Sequence, residues 1–348
     1  MSCNFPLIRA ETYETYVNQK GGKSYKAEFI NRDEYDRFGK DYLKHKYRKV
    51  TPIGCGQCIG CLLDRSRDRA TQMMCEKYYG YNHGTKENPS YGAYPDGTTW
   101  FITCTYADEY LKTHKTVNTE TGEVLEGISL NVEDHQKFMK RLRKKFKTDK
   151  IKFVCAGEYG NSTLRPHLHY IIYGLKLPTE TFKKIHMNAM NQPTWYCDEL
   201  TEIWGMGHVE IGRVDWRSCA YVARYCVKKA GKRDAEWYQA QGMLPEFIIW
   251  SNEIGRKYFE EHKDEIYKTD SVPISTHMGG LLRTPKSYDR LLKETDPELY
   301  ESVKQKRESA AITKEFNLRS QTDYTPEERR AIAEARMQAV MKDIRTEV

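Results

Sequence analysis

The fold of this chain is decided by the stretch Arg165-Pro166-His167-Leu168-His169-Tyr170-Ile171-Ile172-Tyr173-Gly174. Branched and aromatic side chains dominate it, and its proline disfavours a helical conformation in the residue before it, so the run is predicted to be an extended strand. Side chains two positions apart on a strand share one face. His167 and His169 therefore project together, while the apolar residues that alternate with them point into a core.

A carboxylate for the same site is offered by Glu158, in the run Cys155-Ala156-Gly157-Glu158-Tyr159-Gly160. Residues 152–155 are predicted to be a strand and residues 160–163 a turn, which together indicate a hairpin. If Glu158 lies opposite His167, two imidazoles and one acid share a face. Such a set leaves coordination positions open and suits Mg²⁺ or Mn²⁺. The alternative is a solvated strand face with ordinary polar residues.

The run Ala220-Tyr221-Val222-Ala223-Arg224-Tyr225-Cys226-Val227-Lys228-Lys229 belongs to a predicted helix over residues 216–229, with Asp215 as its N-cap. One face carries a stripe of small apolar residues: Cys219, Val222, Ala223, Cys226, Val227 and Ala230. The opposite face carries Tyr221, Arg224, Tyr225 and Lys228. Two phenols one turn apart, each followed by a base, indicate nucleophiles beside cations that neutralise a phosphate. The alternative is a surface face with two partly buried tyrosines.

Together, the paired histidines, the acid on the neighbouring strand and the tyrosine helix resemble the HUH endonucleases that start rolling-circle replication. Further phrases resemble the replication initiators of gokushovirus-type microviruses. They are Pro52-Ile53-Gly54-Cys55-Gly56-Gln57-Cys58-Ile59-Gly60-Cys61, Phe101-Ile102-Thr103-Cys104-Thr105-Tyr106, Gly157-Glu158-Tyr159-Gly160 and Ala220-Tyr221-Val222-Ala223-Arg224-Tyr225. The resemblance covers roughly residues 50 to 290.

The resemblance implies an α+β fold with an HUH endonuclease core, whose central antiparallel sheet is ferredoxin-like or RRM-like and is flanked by helices. Helical appendages are expected at both ends. The implied activity is a metal-dependent DNA strand transfer: a site-specific nickase and ligase initiates and terminates rolling-circle replication of a phage genome through a 5′-phosphotyrosine intermediate. Which tyrosine cuts first stays open.

This interpretation assigns residues to three roles. The catalytic residues are Tyr221, Tyr225 and Lys228. The ligands of Mg²⁺ or Mn²⁺ are His167, His169 and Glu158. The DNA contacts are Arg224, Arg165 and Lys229. The expected partners are single-stranded DNA at the origin and, by analogy, a host helicase and polymerase, in the cytoplasm of a bacterial host.

Composition is compatible with a polyanionic partner. The 348 residues carry a formal charge of +7, with 30% charged and 39% hydrophobic residues. No run approaches the ~20 apolar residues that span a bilayer, so no membrane association is expected. We predict an N-terminal arm with a cysteine motif (residues 1–95), an endonuclease core (96–235) and a C-terminal extension with a terminal amphipathic helix (236–348).

The chain contains ten cysteines, three of which form Cys55-x-x-Cys58-x-x-Cys61. Without a secretion signal, they are expected to be reduced thiols or metal ligands rather than disulfides. Tetrahedral zinc needs a fourth ligand. The candidates are Cys75, His83 and Cys3. Free thiols and an iron–sulfur cluster are the alternatives.

Two other functions are compatible with the sequence. A plasmid initiator or a single-strand transposase would use the same chemistry for another purpose. A non-catalytic, zinc-stabilised nucleic-acid-binding protein would carry zinc on the cysteines and no ion at His167 and His169.

Overall fold

A computed structural model describes most of the chain, namely residues 6–19, 21–31, 42–79, 98–118, 121–147, 151–160, 163–188, 191–224, 235–275 and 281–321, with Cys3 and some positions within 34–37 and 324–339. The chain divides into two compact units, residues 1–64 with 324–343 and residues 65–323 with 344–348. No helix in the described ranges has the length and apolarity required to cross a bilayer.

The first unit contains a three-stranded antiparallel sheet with the order β2-β1-β3. Its strands are β1 (Leu7–Val17), β2 (Lys23–Ile30) and β3 (Lys49–Ile53). Its buried core residues are Ile8, Ala10, Leu43, Tyr47 and Val50. The prediction of a loosely structured or helical N-terminal arm was therefore wrong. The arm folds because the alternating face of β1 buries Ile8 and Ala10 while both of its edges are paired.

The second unit is built on a seven-stranded sheet that is antiparallel throughout. Its strands are β4 (Thr99–Tyr106), β7 (Lys152–Tyr159), β8 (Pro166–Tyr173), β9 (Lys183–Met187), β10 (Pro193–Tyr196), β11 (Gly207–Arg213) and β12 (Phe247–Trp250). Their spatial order is β12-β7-β8-β4-β11-β10-β9. The predicted strands in β4, β7, β8 and β11 are confirmed. Because β12 belongs to this sheet, the sheet extends past the predicted domain boundary at residue 235.

Two hairpins and a set of helices complete the described elements. The hairpins are β5 (Thr113–Val117) with β6 (Val124–Ile128) and β13 (Ser271–Ser275) with β14 (Leu281–Arg283). The helices are α1 (Ile59–Tyr78), α2 (Val132–Phe146), α3 (Asp198–Trp204), α4 (Trp216–Ala223), α5 (Ala235–Ala240), α6 (Arg256–Thr269), α7 (Lys286–Thr295) and α8 (Pro297–Gln321). Helices α1 and α2 confirm the predictions made for these segments.

Helices of the second unit cover both faces of the large sheet, rather than the single face that we expected. On one face, Ala156 and Ile171 pack with residues of α1, α4 and α6. On the other, Tyr170 and Ile172 pack with residues of α2 and α3. The strands bury both faces because apolar residues occupy alternate and intervening positions alike. The α+β class with a large antiparallel sheet flanked by helices is confirmed, whereas the HUH identity of the core stays a prediction.

The segment from Pro178 to Met190 was predicted to be a crossover helix, and this was wrong. It forms a single 3₁₀ turn (Thr179–Thr181) and then the edge strand β9. The backbone N–H of Asn188 donates to the carbonyl of Gln192, which closes a turn between β9 and β10. Asparagine favours such turns through its side chain, and helical periodicity over so short a segment was too weak to oppose it.

Near the C-terminus, the predicted capping box at Thr325 is present. The backbone N–H of Glu328 donates to Thr325 Oγ1 at 3.2 Å, and that of Thr325 donates to Glu328 Oε2 at 2.8 Å. Of the predicted apolar stripe beyond it, only Ala333 is among the described residues. The remaining positions, Met337, Val340, Met341 and Ile344, lie outside them.

Candidate active site and cysteine cluster

Three adjacent strands bring the acid and the two histidines to one face of the sheet. In the β7–β8 hairpin, Glu158 pairs directly with His167, as predicted. On the other side of β8, Thr105 pairs with His167 and Thr103 with His169. Directly paired residues project to the same face of an antiparallel sheet. The site is therefore a consequence of strand register.

Glu158 and His169 form a buried pair. His169 Nε2 lies 2.7 Å from Glu158 Oε1, and the two residues are only 6% and 4% exposed. The ring of His169 also stacks on Phe101, with centroids 5.9 Å apart and an interplanar angle of 4°. The carboxylate and the imidazole are thus held in fixed orientations, away from most of the solvent.

Tyr221 completes this cluster from α4. Its hydroxyl donates to Glu158 Oε1 at 2.9 Å and lies 3.5 Å from His169 Nε2. The edge of its ring packs against Phe101. The structure therefore brings the phenol, the carboxylate and one imidazole of the predicted site within hydrogen-bonding distance of one another.

Helix α4 is fixed at its N-terminus, as the sequence predicted. Asp215 is the N-cap: its side chain accepts from the backbone N–H of Ser218 at 2.9 Å, and Ser218 Oγ accepts from the backbone N–H of Asp215. Gln192 also donates to Asp215 Oδ2 at 2.6 Å. Cys219 and Val222 of the predicted apolar stripe are fully buried. The cap and this stripe orient the helix so that Tyr221 faces the sheet.

Two threonines of β4 were missed as site residues. Thr103 Oγ1 lies 3.0 Å from His169 Nδ1, and Thr105 Oγ1 lies 3.1 Å from His167 Nδ1. Each hydroxyl therefore fixes the ring nitrogen opposite the one that faces the site. The signal in the sequence is the match between Thr-x-Thr and His-x-His. It becomes meaningful only when the two strands are known to be paired in this register.

His167 has an electrostatic environment that keeps it neutral. Burial lowers the pKa of His167 to about 4, and the neighbouring His169 and Arg165 lower it further, against the opposing effect of Glu158. The ring centroids of the two histidines are 6.1 Å apart. A neutral imidazole is the form that binds metals.

The remaining predicted residues differ in what the structure describes. The Arg165 guanidinium donates to the carbonyl of Tyr106 at 2.6 Å and pairs with Asp108 at 2.7 Å, which links the end of β4 to the start of β8. Arg224 is the C-cap residue of α4. Tyr225, Lys228 and Lys229 lie outside the described residues.

The cysteine motif lies in the first unit. Cys3, Cys55, Cys58 and Cys61 place their sulfur atoms within 4.8 Å of one another. Among the described residues, no other set of three or more His, Cys, Asp or Glu side chains meets this distance, so the set of Glu158 and the two histidines is more open. Burial opposes ionisation of Cys55, yet backbone hydrogen bonds from Cys58 and Gln57 lower its pKa to about 7.

The assignment of Cys75 as fourth ligand was wrong, because Cys3 occupies that position. Cys75 lies about four turns beyond Cys61 along α1, too far for both thiols to reach one ion. It is fully buried in the core of the second unit, and burial raises the pKa of its thiol to about 12. The other candidate, His83, lies outside the described residues. The four-cysteine cluster is able to bind a metal ion such as zinc.

Comparisons with known proteins agree with this architecture. The family model for replication-associated protein ORF2 matches residues 99–230, which include every strand of the active-site face described above. Over 345 residues, the chain is 32% identical to replication-associated protein ORF2 of Spiroplasma virus 4, and the match covers 95% of each chain. No solved structure matches the chain significantly.

Two further relatives are more distant. Replication-associated protein VP4 of Bdellovibrio phage phiMH2K is 24% identical over 70% of this chain and 68% of the relative. Replication-associated protein ORF4 of Chlamydia phage 1 is 25% identical over 73% of this chain and 59% of the relative. The chain belongs to this family of phage replication-associated proteins, and its role therefore lies in phage genome replication.

Proposed function

We propose that this chain is a site-specific single-stranded DNA nickase and ligase that initiates and terminates rolling-circle replication of a phage genome through a 5′-phosphotyrosine intermediate. The observation that carries the proposal is the Tyr221 hydroxyl, which donates to Glu158 Oε1 at 2.9 Å beside His169 Nε2. A hydroxyl nucleophile is weak until a neighbouring group accepts its proton, and the buried carboxylate is such an acceptor.

Glu158, His167 and His169 would hold a divalent cation, Mg²⁺ or Mn²⁺. The donor set fits, because two imidazoles and one carboxylate share a face and leave coordination positions for phosphate oxygens. The low pKa of His167 keeps its ring neutral at physiological pH. When bound, the ion supplies positive charge that offsets the charge developing on the scissile phosphate.

In the proposed reaction, the Tyr221 oxygen attacks the scissile phosphorus and the bond from phosphorus to the 3′-oxygen breaks. Glu158 accepts the phenol proton, and the 3′-oxygen leaves as a hydroxyl, so the proton is transferred overall from phenol to sugar. The new phosphotyrosine ester replaces one phosphodiester bond by another. Rejoining by the reverse attack therefore needs no nucleotide cofactor.

Tyr225, one helical turn beyond Tyr221, is proposed to attack in the second cleavage, while Tyr221 still holds the first 5′ end. Lys228 is proposed to neutralise phosphate charge and stabilise the attacking phenolate. Arg165, Arg224 and Lys229 are proposed to contact the DNA backbone. A host helicase and polymerase would supply unwinding and synthesis from the free 3′-hydroxyl.

The test is covalent capture on viral single-stranded DNA. The protein is incubated with Mn²⁺ and oligonucleotides that tile the viral strand, labelled at either end, and the DNA-linked peptide is mapped by mass spectrometry. We expect the protein to become linked to the 3′-side fragment through Tyr221. Tyr221→Phe should lose this first-cut adduct, Tyr225→Phe should keep it, and the double variant should form none. Tyr300→Phe, on α8, is the matched control.

The proposal is wrong if the double variant still forms an adduct, or if the wild-type protein binds the viral strand but never becomes linked to it. EDTA should abolish the adduct in the wild-type protein. Binding without any adduct would favour the non-catalytic DNA-binding alternative.

A further inference from the structure

The four cysteines of the first unit converge because of strand pairing. Strands β1 and β3 are antiparallel, and Leu7 at the start of β1 pairs with Ile53 at the end of β3. Cys3 just before β1 and Cys55 just after β3 therefore emerge at the same end of the sheet. The backbone N–H of Cys55 donates to Cys3 Sγ at 3.3 Å.

We propose that Cys3, Cys55, Cys58 and Cys61 bind one structural zinc ion as a tetrathiolate site, separate from the proposed catalytic ion. Zinc–sulfur bonds of about 2.3 Å in a tetrahedron place neighbouring sulfurs about 3.8 Å apart. In the structure, Cys58 Sγ and Cys3 Sγ are 3.7 Å apart, and all four sulfurs lie within 4.8 Å of one another. The cluster thus has the size of a single-ion site.

The same distances separate this proposal from its alternatives. An iron–sulfur cluster binds its cysteines through different iron atoms, which spreads the sulfurs further apart than one shared ion does. A disulfide requires two sulfurs about 2.05 Å apart and leaves the other two thiols without a role. A compact set of four sulfurs is best explained by one tetrahedral ion.

The backbone around the cluster is suited to negatively charged sulfurs. Besides the Cys55 N–H, the Cys58 N–H donates to Cys55 Sγ at 3.3 Å. Cys61 lies in the first turn of α1, where the helix N-terminus favours negative charge. Backbone donors of this kind orient metal ligands and raise their affinity for the ion.

Two glycines make the close approach feasible. A Cβ atom at Gly54 would lie 3.1 Å from Cys61 Sγ, closer than side chains normally pack. Gly56 has φ +79°, a left-handed conformation that favours glycine. The Cys-Gly-Gln-Cys loop can therefore fold tightly enough for both of its sulfurs to face one ion.

The consequence is structural. The ion would tie the N-terminal residues to the end of β3 and to the start of α1. The core of this unit is small, so metal binding would contribute much of its folding free energy. Loss of zinc should unfold the first unit while the second unit remains folded.

The first test measures metal in the full-length wild-type protein, purified without chelators. Mass spectrometry of the metal should find one zinc per chain, and Glu158→Ala should retain it, because the catalytic site is elsewhere. Replacement of zinc by Co²⁺ should give the intense thiolate-to-metal charge-transfer and visible bands of a tetrahedral tetrathiolate site. These measurements do not depend on whether any cysteine variant folds.

The second test is Cys3→Ser, with Cys197→Ser as the matched control. Cys197 is buried and precedes α3 as its N-cap, a position that serine favours. Cys3→Ser should bind zinc at least about tenfold more weakly in a competition with a chromogenic chelator, whereas Cys197→Ser should bind it like the wild type. Protein free of zinc, an iron–sulfide chromophore, or unchanged zinc affinity in Cys3→Ser would each overturn the proposal. None of these outcomes bears on whether Tyr221 forms an adduct.

Discussion

Replacing Thr103 with valine isolates the hydrogen bond that orients His169. Thr103 Oγ1 lies 3.0 Å from His169 Nδ1, and the two residues are direct partners in the β4–β8 pairing. Valine keeps the β-branched shape and removes only the hydroxyl. When Nε2 faces an ion, Nδ1 carries the proton and donates it to the threonine oxygen. The hydroxyl therefore fixes both the tautomer and the orientation of the ring.

The expected cost follows from this role. Removing the hydrogen-bond partner of a metal-binding histidine weakens metal affinity roughly 10–100-fold, or about 1.4–2.8 kcal/mol. Thr103→Val should therefore shift the Mn²⁺ concentration for half-maximal adduct formation upward by that factor. The adduct rate at saturating Mn²⁺ should stay close to that of the wild type, because the Tyr221 nucleophile is untouched. Thr103→Ser retains the hydroxyl and should behave like the wild type.

The assay follows adduct formation on a labelled origin oligonucleotide over a range of Mn²⁺ concentrations. Electron paramagnetic resonance of free Mn²⁺ measures binding without DNA, and so separates affinity from catalysis. The reasoning is refuted if Thr103→Val and the wild type have the same half-saturating Mn²⁺ concentration. It is also refuted if Thr103→Ser is as impaired as Thr103→Val, since the loss would then not come from the hydroxyl.

Two further predictions concern stability. Gly255→Ala should lower the free energy of unfolding by more than the about 1–2 kcal/mol of a left-handed residue, because φ is +77° and the new Cβ would lie 2.8 Å from the Gln72 carbonyl oxygen; Gly122→Ala, with φ +75° and open space, should show only the backbone cost in urea unfolding. Burial lowers the pKa of His135 from its ordinary 6.5 to about 4, so the unfolded chain binds the extra proton between these values. Its contribution to stability is complete above about pH 6.5 and is lost as the pH falls towards 4. His135→Gln should flatten the decline of the urea midpoint over this window, and an unchanged slope would contradict the assignment.

The sequence by itself determined the local parts of the site. Alternation along β8 placed both histidines on one face, and Asp215 marked the start of α4. These features depend on periods of two and 3.6 residues and on capping, which short segments encode without help from the rest of the chain. The hairpin that sets Glu158 opposite His167 was also predictable, because a short turn leaves little freedom of register.

Only the tertiary structure decided what meets across longer separations. It made Thr103 and Thr105 partners of the histidines, and it brought Cys3 to the cysteine motif in place of Cys75. The register between β4 and β8, and between β1 and β3, is fixed by burial of whole strand faces rather than by a turn between neighbours. Local residue patterns do not contain that information, because the pairing minimises the free energy of the folded unit as a whole.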